Sequence, residues 1–493
     1  MHNGIILQVL ELAKGVPNST IFSVIGHLDS CGNINRYNWN ACEDFFSFTR
    51  GHFVLDEVDQ MARRHIRFNM NELVHIAAES VGAKSCVDVE KCPDGMYNKS
   101  FVLTMDDGQE VIAKVPNPNA GVSYFTTASE VATMDFVRNV LGTPAPNFGS
   151  LYYAKDLATS QQQNHLYSDN TGRKFWDERF AIGPATGREW FDYGRSCLPY
   201  DRGPWQSVYE YYGAIGRREK MAISTRTTLP KQTIMVCGPG LYQAERSKKL
   251  STVEGYLRIF DALLPTENKS ITTPCLWHDD LHDENIFVDP NDPSKVVGII
   301  DWQSVNLLPL LDHDPDPAFV DYHGPKPETL DRPELQDLEG LSDVERSEAI
   351  RQCFEKALFV ASRRISLKKT PAAYEAIKYQ RTDAFNLLVV ARCMARSTGK
   401  KGSKSPRPFP ITFDNKRLAQ IEEDSEKVTR GMQIMNDSKA RLGPLWPDKD
   451  AVEHGQYELA KAALRALKEE VVQDIGKTDG DKAELARQWP FDD

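Results

Sequence analysis

Apolar positions along the first 40 residues keep no sustained period, and that segment is expected to be irregular. From about Asn69 to Val81 the spacing of Leu73, Ile76 and Ala77 predicts a helix opened by Asn69. Polar and apolar residues then alternate. Val87 and Val89, Phe101 to Leu103, and Val111 to Ala113 predict three strands, and Pro93-Asp94-Gly95 and Asp106-Asp107-Gly108 punctuate them as turns. A helix is expected at about Thr127–Leu141, stopped by Gly142 and the Pro144/Pro146 pair. Three strands and a helix in this order form a small α+β unit.

After Pro146 the pattern changes. Residues 147–200 are polar and aromatic, with little strand-like apolar run. Helical spacing dominates from Pro204: Val208, Tyr212 and Ile215, then Val253, Leu257, Phe260 and Leu264. Further helices are predicted at about 344–365 (Ile350, Phe354, Leu358, Ala361, Ile365), 380–396, 415–435 and 455–475. Between Cys275 and Asp301 lies a β-rich island. The basic, Gly/Ser/Pro-rich stretch 397–410 reads as a linker; its GKKGSK lacks the spacing of a phosphate loop. The expected organisation is an irregular segment 1–40, a small lobe 41–146, a helical lobe 147–396 with a hairpin at 277–302, the linker 397–410, and a helical extension 411–493.

The chain has 493 residues, 41% of them hydrophobic, enough for two or three cores at about 150 residues per domain. Its formal net charge of -11 argues against a nucleic-acid partner and mildly favours a cationic one. Nine scattered cysteines with no Cys-x-x-Cys suggest reduced thiols inside a cell. The apolar run Ile5–Leu12 contains Gln8 and Glu11 and is too short to span a bilayer. The first 35 residues hold Lys14 against Glu11 and Asp29, which does not resemble a mitochondrial presequence, so local chemistry alone suggests a soluble cytoplasmic protein.

The chemistry concentrates in Trp277-His-Asp-Asp-Leu-His-Asp-Glu-Asn-Ile-Phe-Val-Asp289 and Val296-Val-Gly-Ile-Ile-Asp-Trp302. Ile286–Val288 and Val296–Ile300 should pair as an antiparallel hairpin across a turn-forming loop. Asn285 enters the first strand and Asp301 leaves the second, so both reach the hairpin's open end, with Asp280 on the loop feeding it. An amide and a carboxylate oxygen suit Mg²⁺, and a further carboxylate can accept a proton from an attacking hydroxyl. The rival reading takes His278 and His282 as a zinc-protease pair, but that motif needs a helix, and this segment follows Pro274 and enters a β-branched strand. His278 is expected to brace the loop.

These residues resemble the signature of the aminoglycoside phosphotransferase and choline kinase superfamily, His-x-Asp-Leu-x-x-x-Asn followed by Ile-Ile-Asp-Trp. The resemblance implies Asp280 as catalytic base and Asn285 and Asp301 as magnesium ligands. Val111-Ile-Ala-Lys114-Val-Pro resembles the strand whose lysine holds the α/β-phosphates of ATP. Glu130 resembles its ion-pair partner, and Asp94-Gly95-Met-Tyr-Asn98-Lys99 the turn that covers the phosphates. The implied fold is α+β, a protein-kinase-like two-lobe fold with a small, truncated β-rich N-lobe and a mostly helical C-lobe.

More narrowly, Ala41–Arg138 and Arg179–Asp321, with segments such as FFSFTRGHFVLDE, EVIAKVPNPNAG and DRGPWQS, resemble the fungal group called altered inheritance of mitochondria protein nine. That likeness implies a mitochondrial protein. A kinase fold places two strands and an adenine-holding hinge after the glutamate helix. Here Val140–Pro146 runs directly into a segment resembling a later part of the C-lobe, so strands and hinge are expected to be missing. Two functions follow: an ATP- and Mg²⁺-dependent phosphotransferase acting on a hydroxyl of an unidentified small molecule, for which the acidic balance mildly favours a cation, or a non-catalytic kinase-like mitochondrial protein with a structural or interaction role. The acidic stretch Asp312–Asp316 is a further candidate, as the rim of a cation pocket.

Overall fold

Strands β5 (Asn98–Met105) and β6 (Glu110–Pro116) alternate buried and part-buried residues along their length, the mark of a sheet with one face on a core. Val111, Ala113 and Val115 pack with Phe101, Leu103 and Met105 on one face, against Leu73, Val74 and Ala77 of helix α2 (Met70–Val81). Lys114 lies on the other face. The local signals for α2 hold: the Asn69 side chain accepts from the Glu72 amide, and Gly82 ends the helix at φ 74°. Gly108, at φ 86°, closes the β5–β6 hairpin.

The computed structural model describes residues 6–11, 21–25, 38–121, 124–139, 150–153, 167–168, 174–175, 178–226, 231–314, 320, 322, 324–325, 327, 329–394, 414–447 and 451–491. The expected linker 397–410 and the junction 140–149 lie outside them. In chain order the remaining elements begin with β1 (Ile6–Glu11), β2 (Ile21–Ile25), β3 (His52–Phe53), α1 (Glu57–Arg64) and β4 (Cys86–Lys91). After β6 come α3 (Phe125–Asn139), β7 (Ser150–Tyr153), β8 (Tyr167–Ser168), β9 (Lys174–Phe175), β10 (Phe180–Gly183), α4 (Val208–Thr225), α5 (Arg246–Leu263) and α6 (Lys269–Thr272). Next are β11 (Pro274–Leu276), β12 (Ile286–Asp289), β13 (Asp292–Ile299), β14 (Leu307–Pro309), α7 (Asp343–Lys369), α8 (Pro371–Gln380) and α9 (Asp383–Met394). The chain closes with α10 (Asn415–Leu442), β15 (Ala451–Val452), α11 (Tyr457–Ile475) and α12 (Asp479–Arg487).

Residues 1–40 are not irregular throughout. β1 and β2 join a five-stranded sheet ordered β2-β1-β6-β5-β4, and β1 pairs antiparallel with β6, Gln8 opposite Lys114. Strands of five and six residues are too short to declare a period, and an isolated hairpin is marginal in water. The open edge of β6 supplies the missing backbone partners. Among the described residues no strand after α3 joins this sheet. β7 and β10 pair with each other and pack on Ala132 and Phe136 of α3.

The larger lobe has its own core, built on Trp190, Trp205, Tyr212, Tyr256 and Phe260 with Ala376 and Leu388. The fold is thus α+β and protein-kinase-like, a β-rich small lobe on a mostly helical large one. The C-terminal helices form a third core with Met235, Val236 and Tyr242. There Gly431 lets α10 approach closely, since a Cβ would sit 2.5 Å from the Val236 carbonyl oxygen. This extension also reaches the small lobe: β15 pairs with β3, and His454 Nε2 donates to the Thr49 carbonyl at 3.0 Å.

Candidate active site

The alternation of β6 sends Lys114 out of the small-lobe core toward α3. Its Nζ lies 2.8 Å from Glu130 Oε1 and 2.7 Å from Asp301 Oδ1. Glu130 is 1% exposed, Lys114 13% and Asp301 37%. Burial opposes charge on the lysine, but Glu130 and Asp301 outweigh it and hold the ammonium above its ordinary range. One cation therefore joins two carboxylates, one on α3 and the other on a loop 187 residues away along the chain.

The loop that carries Asp301 is fixed from several sides. Asp301 and Ser304 adopt left-handed backbone, at φ 61° and 60°, which costs on the order of 1 kcal/mol or more per residue and persists only under constraint. Trp302 supplies part of that constraint. It is buried beside Met134 of α3, one turn beyond Glu130, and its Nε1 donates to the Ile299 carbonyl at 3.0 Å. His278 packs edge-on against Trp302, and its Nε2 donates to the Ile300 carbonyl at 2.8 Å. That bond puts the proton on Nε2 and assigns His278 the bracing role.

The expected hairpin forms. β12 and β13 pair antiparallel with Ile286 opposite Ile299, and the Ile300 amide donates to the Asn285 carbonyl at 3.0 Å. Asn285 and Asp301 consequently leave the same open end. Asn285 is buried, and its Nδ2 bonds the Asp280 carbonyl at 2.9 Å and His282 Nε2 at 3.0 Å. With the amide nitrogen so engaged, Oδ1 is the atom left to bind something else. Asp280 stands at the turn with its carboxylate 74% exposed, 3.8 Å from His282 Nε2.

The turn between β4 and β5 is tied down from below. Asp94 is buried among Lys91 Nζ at 2.7 Å, Lys99 Nζ at 3.3 Å, and the amide and hydroxyl of Thr49 at 2.8 and 2.9 Å. Burial raises the Asp94 pKa, but the lysines and the Thr49 amide reverse the balance and keep it below the usual carboxylate range. Asn98 reaches across the cleft, its Nδ2 donating to Gln303 Oε1 at 2.7 Å, and Tyr97 meets Arg188. Gly95 joins none of this side-chain network. Its amide bonds the Asn98 carbonyl at 3.0 Å, and a Cβ there would make ordinary contact at 3.4 Å.

The structure thus joins Lys114, Glu130 and Asp301 directly, brings Asn285 and Asp280 to the same end, and ties Asn98 to the Asp301 loop. Three participants had no periodicity or motif to reveal them. Gln303 is one, and the other two are Asp279 and His313. His313 is buried, its Nδ1 2.9 Å from Asp279 Oδ1 and its Nε2 3.3 Å from the Cys275 carbonyl. Burial disfavours its charge, but the Asp279 and Cys275 bonds prevail and raise it to about 10. An imidazolium so held anchors the residue immediately before Asp280. The acidic stretch is partly committed elsewhere: Asp312 Oδ1 accepts from the Tyr212 hydroxyl at 2.6 Å, and residues 315–316 lie outside the described region.

The Phosphotransferase enzyme family matches residues 231–311, which include the hairpin and its feeding loop. Similar proteins include a subtelomeric hrmA-associated cluster protein of Aspergillus fumigatus, 24% identical over 515 aligned positions that cover 83% of this chain and 97% of that protein. Since 83% of 493 residues is about 410, about a hundred of those positions face gaps in this chain. The altered inheritance of mitochondria protein 9 of Lachancea thermotolerans is 27% identical over 59% of this chain and 50% of that protein. A crystal structure of a putative fructosamine-3-kinase from Thermobifida fusca matches 66% of this chain and 99% of that one at 15% identity, with a TM-score of 0.24.

Proposed function

We propose, from the premise that the chain belongs to the aminoglycoside phosphotransferase-like superfamily within the group of altered inheritance of mitochondria protein nine, that it transfers phosphate from ATP to a hydroxyl of a small molecule. The observation that carries this reading is the Lys114 ammonium held between Glu130 and Asp301, at the hairpin end where Asn285 emerges. Asn285 Oδ1 and Asp301 are hard oxygen donors of the kind Mg²⁺ takes, and its charge when bound would help neutralise the phosphates. Lys114 would contact the α/β-phosphates, and the turn carrying Gly95 and Asn98 would cover them.

Asp280 would accept the proton of the acceptor hydroxyl as its oxygen bonds to the γ-phosphorus and the bond to the β–γ bridging oxygen breaks, ADP leaving with the electron pair. His313, through Asp279, would hold that base in place. The exposed carboxylates Asp279, Asp280 and Asp283 favour a cationic acceptor. A mitochondrial location is proposed from the named relatives. No helix among the described residues is long and apolar enough to cross a membrane.

A second reading, a non-catalytic kinase-like protein, draws on the sheet that, among the described residues, no strand after α3 joins. A thermal-shift titration with Mg·ATP separates the two. Stabilisation at millimolar nucleotide that vanishes in Asp301→Ala supports the enzyme, and no shift favours the scaffold. In the enzyme, Asp280→Asn should slow ATP consumption about 10²–10⁴-fold without abolishing that thermal shift.

A further inference from the structure

The C-terminal extension docks on residues 49–57 of the small lobe, and the same segment holds the turn between β4 and β5. β15 pairs antiparallel with β3, Val452 opposite His52 and Ala451 opposite Phe53. Gly51 permits that approach. It is buried, and a Cβ there would sit 2.2 Å from the Val452 carbonyl oxygen, a backbone atom with no flexible side chain to give way. Val54 is buried with Val452 in the core that the C-terminal helices build. His52 completes the contact. Its ring lies 4.6 Å from Tyr457 and 4.7 Å from His454, and its Nδ1 donates to Glu57 Oε1 at 2.6 Å. The Tyr457 hydroxyl bonds the other oxygen of Glu57.

Thr49 faces both ways. Its carbonyl accepts from His454 Nε2 at 3.0 Å, while its amide and hydroxyl donate to Asp94 Oδ2 at 2.8 and 2.9 Å. The Ser47 carbonyl accepts from Lys91 and Lys99 at 2.8 and 2.7 Å, and both ammonium groups also bond Asp94. Asp94 is 1% exposed and leads directly into Gly95. A residue gripped at both its carbonyl and its amide gives up backbone freedom, and releasing one end returns it. A hydrogen-bonded path therefore runs from the extension through Thr49 to the base of the turn.

We infer that His454 is a positioning residue for nucleotide: acting through Thr49 and Asp94, it lets the C-terminal extension set the turn that carries Gly95 and Asn98. The inference rests on the reading of that turn as the cover of the ATP phosphates. Asn98 ties the tip of the turn to Gln303 across the cleft, and the extension steadies its base. Asp280 stands instead on the large-lobe loop that His313 anchors through Asp279. Undocking the extension therefore loosens the hold on Mg·ATP and leaves proton transfer at Asp280 unchanged, so it acts on KM for ATP rather than on kcat.

Hydrogen exchange and Mg·ATP titration of the full chain test this. His454→Leu removes the donor to Thr49, His454→Gln keeps an N–H at similar reach, and Gly51→Ala forces the two strands apart. In His454→Leu and in Gly51→Ala the amides of residues 451–454, Thr49 and Gly95 should exchange about fivefold faster, the worth of one hydrogen bond, whereas His454→Gln should stay near the parent. The Mg·ATP concentration that half-saturates the thermal shift, and KM for ATP, should rise about fivefold at unchanged kcat, and glutamine should restore both. Exchange that quickens at 451–454 but not at Thr49 and Gly95 overturns the inference. So does a Gly51→Ala chain with the parent's protection throughout, or a loosened turn with an unaltered half-saturating concentration. A parent chain with no Mg·ATP shift refutes the phosphotransferase reading and takes the nucleotide part of this inference with it, while exchange at Thr49 and Gly95 still decides whether the extension positions the turn.

Discussion

Replacing Lys114 by Met removes the one cation shared by Glu130 and Asp301, and burial lets the cost be divided between them. Asp301 is 37% exposed, so water can take over, and losing a pair of that kind costs under about 1 kcal/mol. Glu130 is 1% exposed and has no other ion-pair partner among the described residues. Stripping the partner from a buried charge costs about 3–5 kcal/mol. Lys114→Met should therefore destabilise the small lobe by about 3–5 kcal/mol, most of it from Glu130. The double variant Lys114→Met/Glu130→Met should recover more than half, because the stranded carboxylate is gone. Urea unfolding followed by far-ultraviolet circular dichroism and tryptophan fluorescence reads both numbers. A single variant within about 0.5 kcal/mol of the parent, or a double variant no better than the single, would refute the reasoning. The pH dependence has a definite sign. A lysine whose pKa is raised on folding adds stability that is complete below its ordinary range and fades as pH rises through the folded value. The Lys114 contribution should thus be flat through neutrality and decline only above about pH 10.5.

Two further outcomes are expected. His313→Gln removes the imidazolium that anchors Asp279; because the His313 pKa is raised to about 10, its stabilising contribution is complete below about pH 6.5 and lost as pH climbs toward 10. The melting-temperature gap between parent and variant should follow that course, and a gap that widens with pH would contradict it. A chain lacking residues 1–30 loses β1 and β2, which bares the β6 edge. Hydrogen exchange at residues 111–114 should then accelerate and aggregation increase, and unchanged protection there would show that β1 does not cover that edge.

Some of the site is legible in the chain because its determinants are local. Ile286 to Asp289 and Asp292 to Ile299 hold enough β-branched residues and turn formers to specify a hairpin, and a hairpin forces its outer residues, Asn285 and Asp301, to one end. The period-2 pattern of β6 likewise puts Lys114 opposite the Val111–Ala113–Val115 face. What no local pattern carries is the partner. Gln303 meeting Asn98, His313 meeting Asp279, and Thr49 meeting Asp94 each join residues 34 or more positions apart, and nothing in a period says which loop arrives. The same limit explains β1 and β2, whose strand character depends on an edge supplied by β6.

Taken alone, the sequence determined the type and reach of the long elements, the hairpin and the set of oxygen-bearing side chains at its mouth, since these follow from backbone geometry and side-chain period. Only the tertiary structure decided which of those groups share a cation, which buried imidazole steadies the base loop, and where each apolar face points. Helix α7 makes the difference plain. Its stripe of Ile350, Phe354, Leu358 and Ile365 is written as clearly as any core face, yet it meets solvent. Periodicity fixes which side chains lie together on a helix, whereas the packing of the other elements settles whether anything lies against them.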